Sequence, residues 1–291
     1  MASFVGEYED AVRRDYRHYM AVSRRNSLVS AEQYLDFCAR MGLSYREEYP
    51  TFLRRSSVDI SLRVQEYAID IDELRRLCWR RLTDAGVTVR LRTRRQLADL
   101  AAYDRVVVAT YAHLNDIQAE IRGAAADYQY EVCEKPLVRL PPAYAGHSVV
   151  VLDGPFMCLD PCGPDRTFLL GNVVHAIHAT TVGRYPLIPA ALAADLNRGV
   201  CRPRETKLPG FLAHAAEFFD GIETAEHLGS LITVRTVLPN LEHSDARPTT
   251  VRQLDERTLA IFSGKIATCV DAAREVTMQI TGEVADLVER V

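Results

Sequence analysis

Apolar residues along this chain change their spacing several times, and each change predicts a different kind of element. Between 30 and 41 they recur at helical intervals, at Tyr34, Phe37, Cys38 and Met41. Ser30 and Gln33 can form a capping box at the start of that helix, and Gly42 stops it. Arg17 to Ser23 reads as a strand, as does 58–68, with Val58, Ile60, Leu62 and Val64 on one face. Asp70 and Glu73 can cap a second helix carrying Leu74, Leu77, Cys78, Leu82 and Ala85, ended by Gly86. V-T-V-R-L follows, and then a strand over 103–110 whose apolar run predicts burial on both faces, as in a parallel sheet.

From Tyr128 to His178 the pattern shortens. Strands are expected at 130–138, 148–152, 156–160, 167–170 and 173–179, separated by Pro and Gly, which suggests an antiparallel sheet. Helical stretches are expected at 207–219 and 223–228, then strands at 230–238 and 259–262. A long terminal helix has the stripe Ile266, Val270, Ala273, Val276, Ile280, Val284 and Leu287. The order is α/β, then antiparallel β, then a return to α/β.

Composition narrows the function classes. The 291 residues are 48% hydrophobic and 25% charged, as in a soluble globular protein, and the net charge of -4 offers no general attraction to nucleic acid or anionic membrane. Lys appears only at 135, 207 and 265. The Arg-rich stretch from Arg75 to Arg95 is interleaved with Asp72, Glu73 and Asp84 on a helix with a core stripe, so it reads as a solvated face. No apolar run is long enough to cross a bilayer and no leader pattern opens the chain. Seven scattered cysteines argue against a disulfide framework and for a reducing cytoplasm. Cys158 and Cys162 lack a second pair for zinc. His175 and His178 would share a face in a helix but point apart in the strand expected there. Ser263-Gly264-Lys265 is no phosphate loop, since Leu259 and Ile266 stand where such a loop needs Gly and Ser or Thr.

Six short segments carry a resemblance. They are Asp70-x-x-x-Leu74 with Gly86-Val87-x-Val89, the stretch Tyr103 to Thr110, Gly229-Ser230-Leu231-Ile232-Thr233-Val234-Arg235, and Asp245-Ala246-Arg247-Pro248 followed by Ser263-Gly264-Lys265-Ile266. In this order they resemble the D-amino-acid-oxidase-type family of FAD-dependent oxidoreductases over nearly the whole chain. The resemblance implies a mixed α/β fold, with an incomplete Rossmann-like FAD lobe and an antiparallel substrate lobe. Residues 1–69 would open the substrate lobe, 70–127 would belong to the FAD lobe, 128–240 to the antiparallel lobe, and 241–291 would return to the FAD lobe.

The same resemblance implies roles. Arg235 would hold a substrate carboxylate in a bidentate grip. Lys265 would stabilise negative charge developing on the flavin. Thr110, Asp245, Arg247, Ser263, Gly264, Lys265 and Ile266 would contact FAD, with the turn at 263–266 presenting backbone N–H groups to the ring. For Arg235 the alternative is a salt bridge to Glu223, Glu226 or Asp245. For Lys265 it is a side chain lying in solvent. Tyr111 stands where most relatives place Gly after Ala-Thr.

One expected motif is absent: the 291 residues contain no G-x-G-x-x-G. In the family that fingerprint opens the chain and cradles the cofactor pyrophosphate. Residues 1–20 resemble a point well inside the family sequence, so the N-terminal βαβ unit is expected to be missing. A misassigned start, a truncated gene or a separate completing chain would each explain that. The sequence therefore supports an FAD-dependent oxidation of a small amine, amino-acid or hydroxylated metabolite. The alternative is a non-catalytic homologue or partner subunit that does not bind FAD. The expected partners are a small-molecule substrate and a homo-oligomer or completing chain, without nucleic acid or membrane.

Overall fold

The structure, a computed structural model, describes residues 2–154, 156–163, 166–240 and 247–282. The described helices are α1 (Ala2–Glu7), α2 (Ala31–Arg40), α3 (Ile71–Asp84), α4 (Asn115–Gln118), α5 (Leu208–Ala215) and α6 (Cys269–Thr281). The first seven strands are β1 (Val12–Arg13), β2 (Arg17–Ser23), β3 (Tyr45–Glu47), β4 (Val58–Val64), β5 (Ala68–Ile69), β6 (Val106–Val108) and β7 (Tyr128–Arg139). They are followed by β8 (His147–Leu152), β9 (Met157–Pro161), β10 (Thr167–Asn172), β11 (Ile177–Gly183), β12 (Glu226–Val237), β13 (Thr250–Gln253) and β14 (Thr258–Phe262).

Nine of the described strands form one large sheet, in the order β11-β7-β10-β9-β8-β2-β4-β3, with β12 running along β7. Its pairs are antiparallel except β2 with β8, which are parallel. β10 pairs with Leu137–Arg139 of β7 and β11 with Tyr128–Cys133, while β12 covers nearly the full length of β7. A smaller sheet, β13-β14-β6, carries the parallel pair β14 and β6. This is a mixed α/β fold, as the alternation of patterns predicted.

Local signals explain where the helices begin. Ser30 Oγ accepts the Gln33 N–H at 3.1 Å while Gln33 Oε1 accepts the Ser30 N–H at 2.8 Å, so α2 opens with a complete capping box. Asp70 Oδ1 caps α3 through the Glu73 N–H at 3.0 Å. The large sheet buries its principal core against α5, with Phe52, Tyr144, Phe168, Phe211 and Phe219 at its centre. Burying such rings contributes about 1.5–3 kcal/mol each relative to leaving them exposed. A second core joins the two sheets, where the Tyr128 and Phe262 rings stack 5.3 Å apart.

Several expectations change. V-T-V-R-L forms no strand, and β6 keeps only three residues, with Val107 40% exposed instead of buried on both faces. Residues 173–176 are a turn, because Asn172 Oδ1 accepts the Val174 and His175 N–H groups and ends β10 there. The expected helix at 223–228 is a single 3-10 turn, Ile222–Thr224, after which β12 begins at Glu226. In α6 the buried face is Val270, Ala272 and Val276; Ala273 points outward, Ile266 precedes the helix, and Val284 and Leu287 lie outside the described residues. Arginines of α3 meet acids: Arg75 pairs with Asp72, Arg76 with Glu73 and Arg81 with Glu7. No helix among the described residues is long and apolar enough to cross a membrane.

Candidate functional site

The junction of the two sheets gathers the residues with chemical potential. Antiparallel pairing of β12 with β7 sets Arg235 directly opposite Glu131. Arg235 Nε donates to Glu131 Oε2 at 2.5 Å, and Gln129 Nε2 donates to Glu131 Oε1 at 2.9 Å. The Glu131 side chain is 5% exposed and that of Arg235 35%. The salt bridge weighed as the alternative for Arg235 therefore exists, with a partner other than those expected. Of the three carboxylates named for it, Glu226 pairs instead with Arg139, and Asp245 lies outside the described residues. Glu223 sits in the 3-10 turn that precedes β12. Next along β7, burial pushes the Cys133 thiol up to about 11, so it is no nucleophile at neutral pH.

Arg235 lines a cavity of about 110 Å³ with Tyr111, Thr236, Arg247, Phe262 and Gly264. Tyr111 holds φ 52°, in the left-handed region that disfavours a bulky side chain. Its Oη accepts the Thr236 N–H at 3.0 Å, which fixes the ring across the gap between β6 and β12. Thr110, just before it, is exposed, and its carbonyl accepts the His113 N–H at 3.0 Å.

Gly264 is tightly enclosed: a Cβ there would lie 1.9 Å from the Arg247 carbonyl oxygen. Its N–H donates to Thr249 Oγ1 at 2.9 Å, so one of the backbone donors expected to face a cofactor is already used. The Lys265 and Ile266 N–H groups donate to no described group. Lys265 and Ile266 are exposed at the head of α6, with Ser263 half-buried before them. Arg235, Arg247 and Gly264 thus share one cavity, Ser263, Lys265 and Ile266 flank it, and Thr110 borders it through Tyr111.

Two undonated N–H groups, a lysine and the positive end of α6 fit the electron-rich ring of a flavin. The cavity itself is well below the roughly 300–1,000 Å³ of a small-molecule pocket. Tyr111 forms one wall of it. For the pyrophosphate the 291 residues hold no glycine fingerprint. The donor set therefore fits the ring end of FAD alone. Glu131 and the bridging role of Tyr111 went unread in the sequence. The alternation that places Glu131 on the same face of β7 as Cys133 and Lys135 was legible, but the register against β12 was not.

The fold is that of the D-amino-acid-oxidase type, the fold class the sequence resembled. Among solved structures the chain is similar to L-proline dehydrogenase from P. horikoshii, with a TM-score of 0.64 and 13% identity, covering 97% of this chain and 76% of that one. It is likewise similar to iminodiacetate oxidase from Chelativorans sp. BNC1, with TM-score 0.63, 12% identity and coverage of 99% and 79%. For a modified fructosyl peptide oxidase from Aspergillus nidulans the values are 0.67, 11%, 97% and 76%. No protein-family model matches the chain, and no curated protein does.

Proposed function

We propose that this chain acts as an FAD-dependent oxidoreductase on a small amine, amino acid or hydroxylated metabolite. The observation that supports this reading is a fold matched over 97% of the chain by L-proline dehydrogenase and over 99% by iminodiacetate oxidase. FAD, when bound, supplies the acceptor for a hydride. Lys265 and the open N–H groups of Lys265 and Ile266 would hold the ring's polar edge. Arg235, kept in place by Glu131, would orient a substrate carboxylate. A chain or segment that brings a pyrophosphate cradle, or a second copy, would be the macromolecular partner.

A specific observation favours a second reading, a non-catalytic homologue that does not bind FAD: Tyr111 bridges to Thr236 across the cavity where a ring would need room. The visible absorption spectrum of the purified chain, followed by titration with FAD, separates the two. Stoichiometric flavin bands support the oxidoreductase. A colourless protein whose spectrum and melting temperature ignore added FAD overturns it and leaves the second reading.

A further inference from the structure

A larger cleft of about 490 Å³ lies away from this junction, where the start of β2 meets β3, the end of β4 and the segment leading to β5. Four arginines line it: Arg14, Arg17, Arg46 and Arg63, with Glu66 the acidic residue among its lining groups. Their placement is costly without a counter-charge. Arg46 and Arg63 are direct cross-strand partners in the β3–β4 ladder, a position where like charges destabilise a sheet. They share a single carboxylate, Glu48, at 3.8 and 3.7 Å, and Glu48 also accepts the Tyr19 hydroxyl at 2.6 Å. Arg17 has no carboxylate partner among the described residues. Arg14 reaches Glu9 at 3.3 Å and lies over the Tyr67 ring, 5.2 Å from its centroid, which restricts its motion before any ligand arrives.

We propose that this cleft binds a small multivalent anion, a phosphate ester or a polycarboxylate. Guanidinium groups offer paired donors that match either oxyanion, and several converging on one cleft favour multiple charges over one. Tyr16, Tyr45 and Tyr67 add hydroxyl and ring surface around the same space. The site is independent of the FAD reading, since none of its residues borders the cavity at Arg235.

The test is calorimetric titration of the full chain with pyrophosphate and with citrate in low-salt buffer, paired with melting curves. Saturable binding of either at millimolar concentration or below is expected, weakening steeply as salt is added. Binding of pyrophosphate alone assigns the phosphate class, and binding of citrate alone the polycarboxylate class. Arg46→Gln, on an exposed side chain, should weaken binding about tenfold or more. Without ligand it should leave the melting temperature unchanged or raised, because it relieves the pair with Arg63; a merely structural arginine would lower it. Arg63→Gln should act on binding in the same direction. The proposal is overturned if neither anion binds, if sodium chloride of equal ionic strength stabilises as much, or if Arg46→Gln binds like the parent.

Discussion

Glu134 is the most exacting place to test how this fold is held together. It is fully buried in β7, yet its carboxylate accepts four hydrogen bonds. Oε1 receives the Thr206 and Ser230 hydroxyls at 2.5 and 2.6 Å, and Oε2 the Lys207 N–H at 2.8 Å, with His178 Nε2 2.9 Å away. One side chain therefore ties β7 to β11, to β12 and to the start of α5. Glu134→Ala removes every acceptor at once. Ser230 and the His178 side chain are sealed from water, at 0% and 8% exposure, and each loses a partner. At about 1–3 kcal/mol per stranded buried group, plus the void left by the carboxylate, the loss is about 3–5 kcal/mol.

Glu134→Gln should cost much less, about 1–2 kcal/mol, because its amide nitrogen can face the two hydroxyls, which rotate to accept. Its oxygen can stay against the Lys207 N–H, a donor that cannot turn. Urea unfolding followed by far-ultraviolet circular dichroism, read as a midpoint at constant slope, measures both. Equal losses for Gln and Ala, or a loss below about 1 kcal/mol for Ala, would refute the reasoning. The pH dependence adds a sign. Burial pushes the Glu134 carboxyl up, but the bonds from Lys207, Ser230, Thr206 and His178 outweigh it and hold it below its ordinary 4.5. The depressed value means its contribution is fully present above 4.5 and is lost as pH falls through the folded value. The gap between parent and Gln variant should be constant near neutrality and shrink only in acid.

Burial likewise lowers His18, His147 and His214 from 6.5. Below 6.5 the unfolded chain takes up protons that the folded chain refuses, so the urea midpoint should fall from about pH 6.5 downward until the folded values are passed. Gly264→Ala should cost about 1–3 kcal/mol in urea unfolding and weaken any FAD binding, because its Cβ meets backbone at Arg247. Arg235→Leu strands the buried Glu131 and should cost about 3–5 kcal/mol, much of it recovered in the double variant with Glu131→Gln; no recovery would remove the pair as the cause. Tyr111→Gly relieves φ 52° but loses the bond to Thr236, so stability should change by no more than about 1 kcal/mol. The same change should raise FAD affinity in an absorbance titration if the ring blocks the site.

Features decided by neighbours in sequence were legible before the fold was known. The capping box at Ser30 and Gln33 needs only three residues of separation, and it forms as read. Strands with alternating or branched apolar residues and Pro or Gly at their ends, such as β7 and β8, lie within two residues of where the pattern put them. The partner of Arg235 belongs to another class. Glu131 lies 104 residues away and meets it only through the β7–β12 register, whose irregularity between His227 and Gly229 no local pattern reveals.

At 87–91 pattern and structure part company for want of a strand partner and not through a misread side chain. Val87, Val89 and Leu91 have the alternation and branching of a strand, yet they are 49, 41 and 69% exposed and join no sheet among the described residues. Val107 belongs to the same part of the fold, and β6 has β14 on one side and no described strand on the other. A strand signal states only that a residue fits a pleated, half-buried surface; the surface itself must come from another strand. The same logic reaches the candidate site. Arg247, Gly264 and Phe262 converge because β14 is paired on both sides, whereas Thr110 and Tyr111 follow a strand paired on one side only, and Tyr111 turns back to bond Thr236. Paired strands thus bring Arg235, Arg247 and Gly264 to one cavity, whereas Thr110 on the open edge reaches it only through Tyr111.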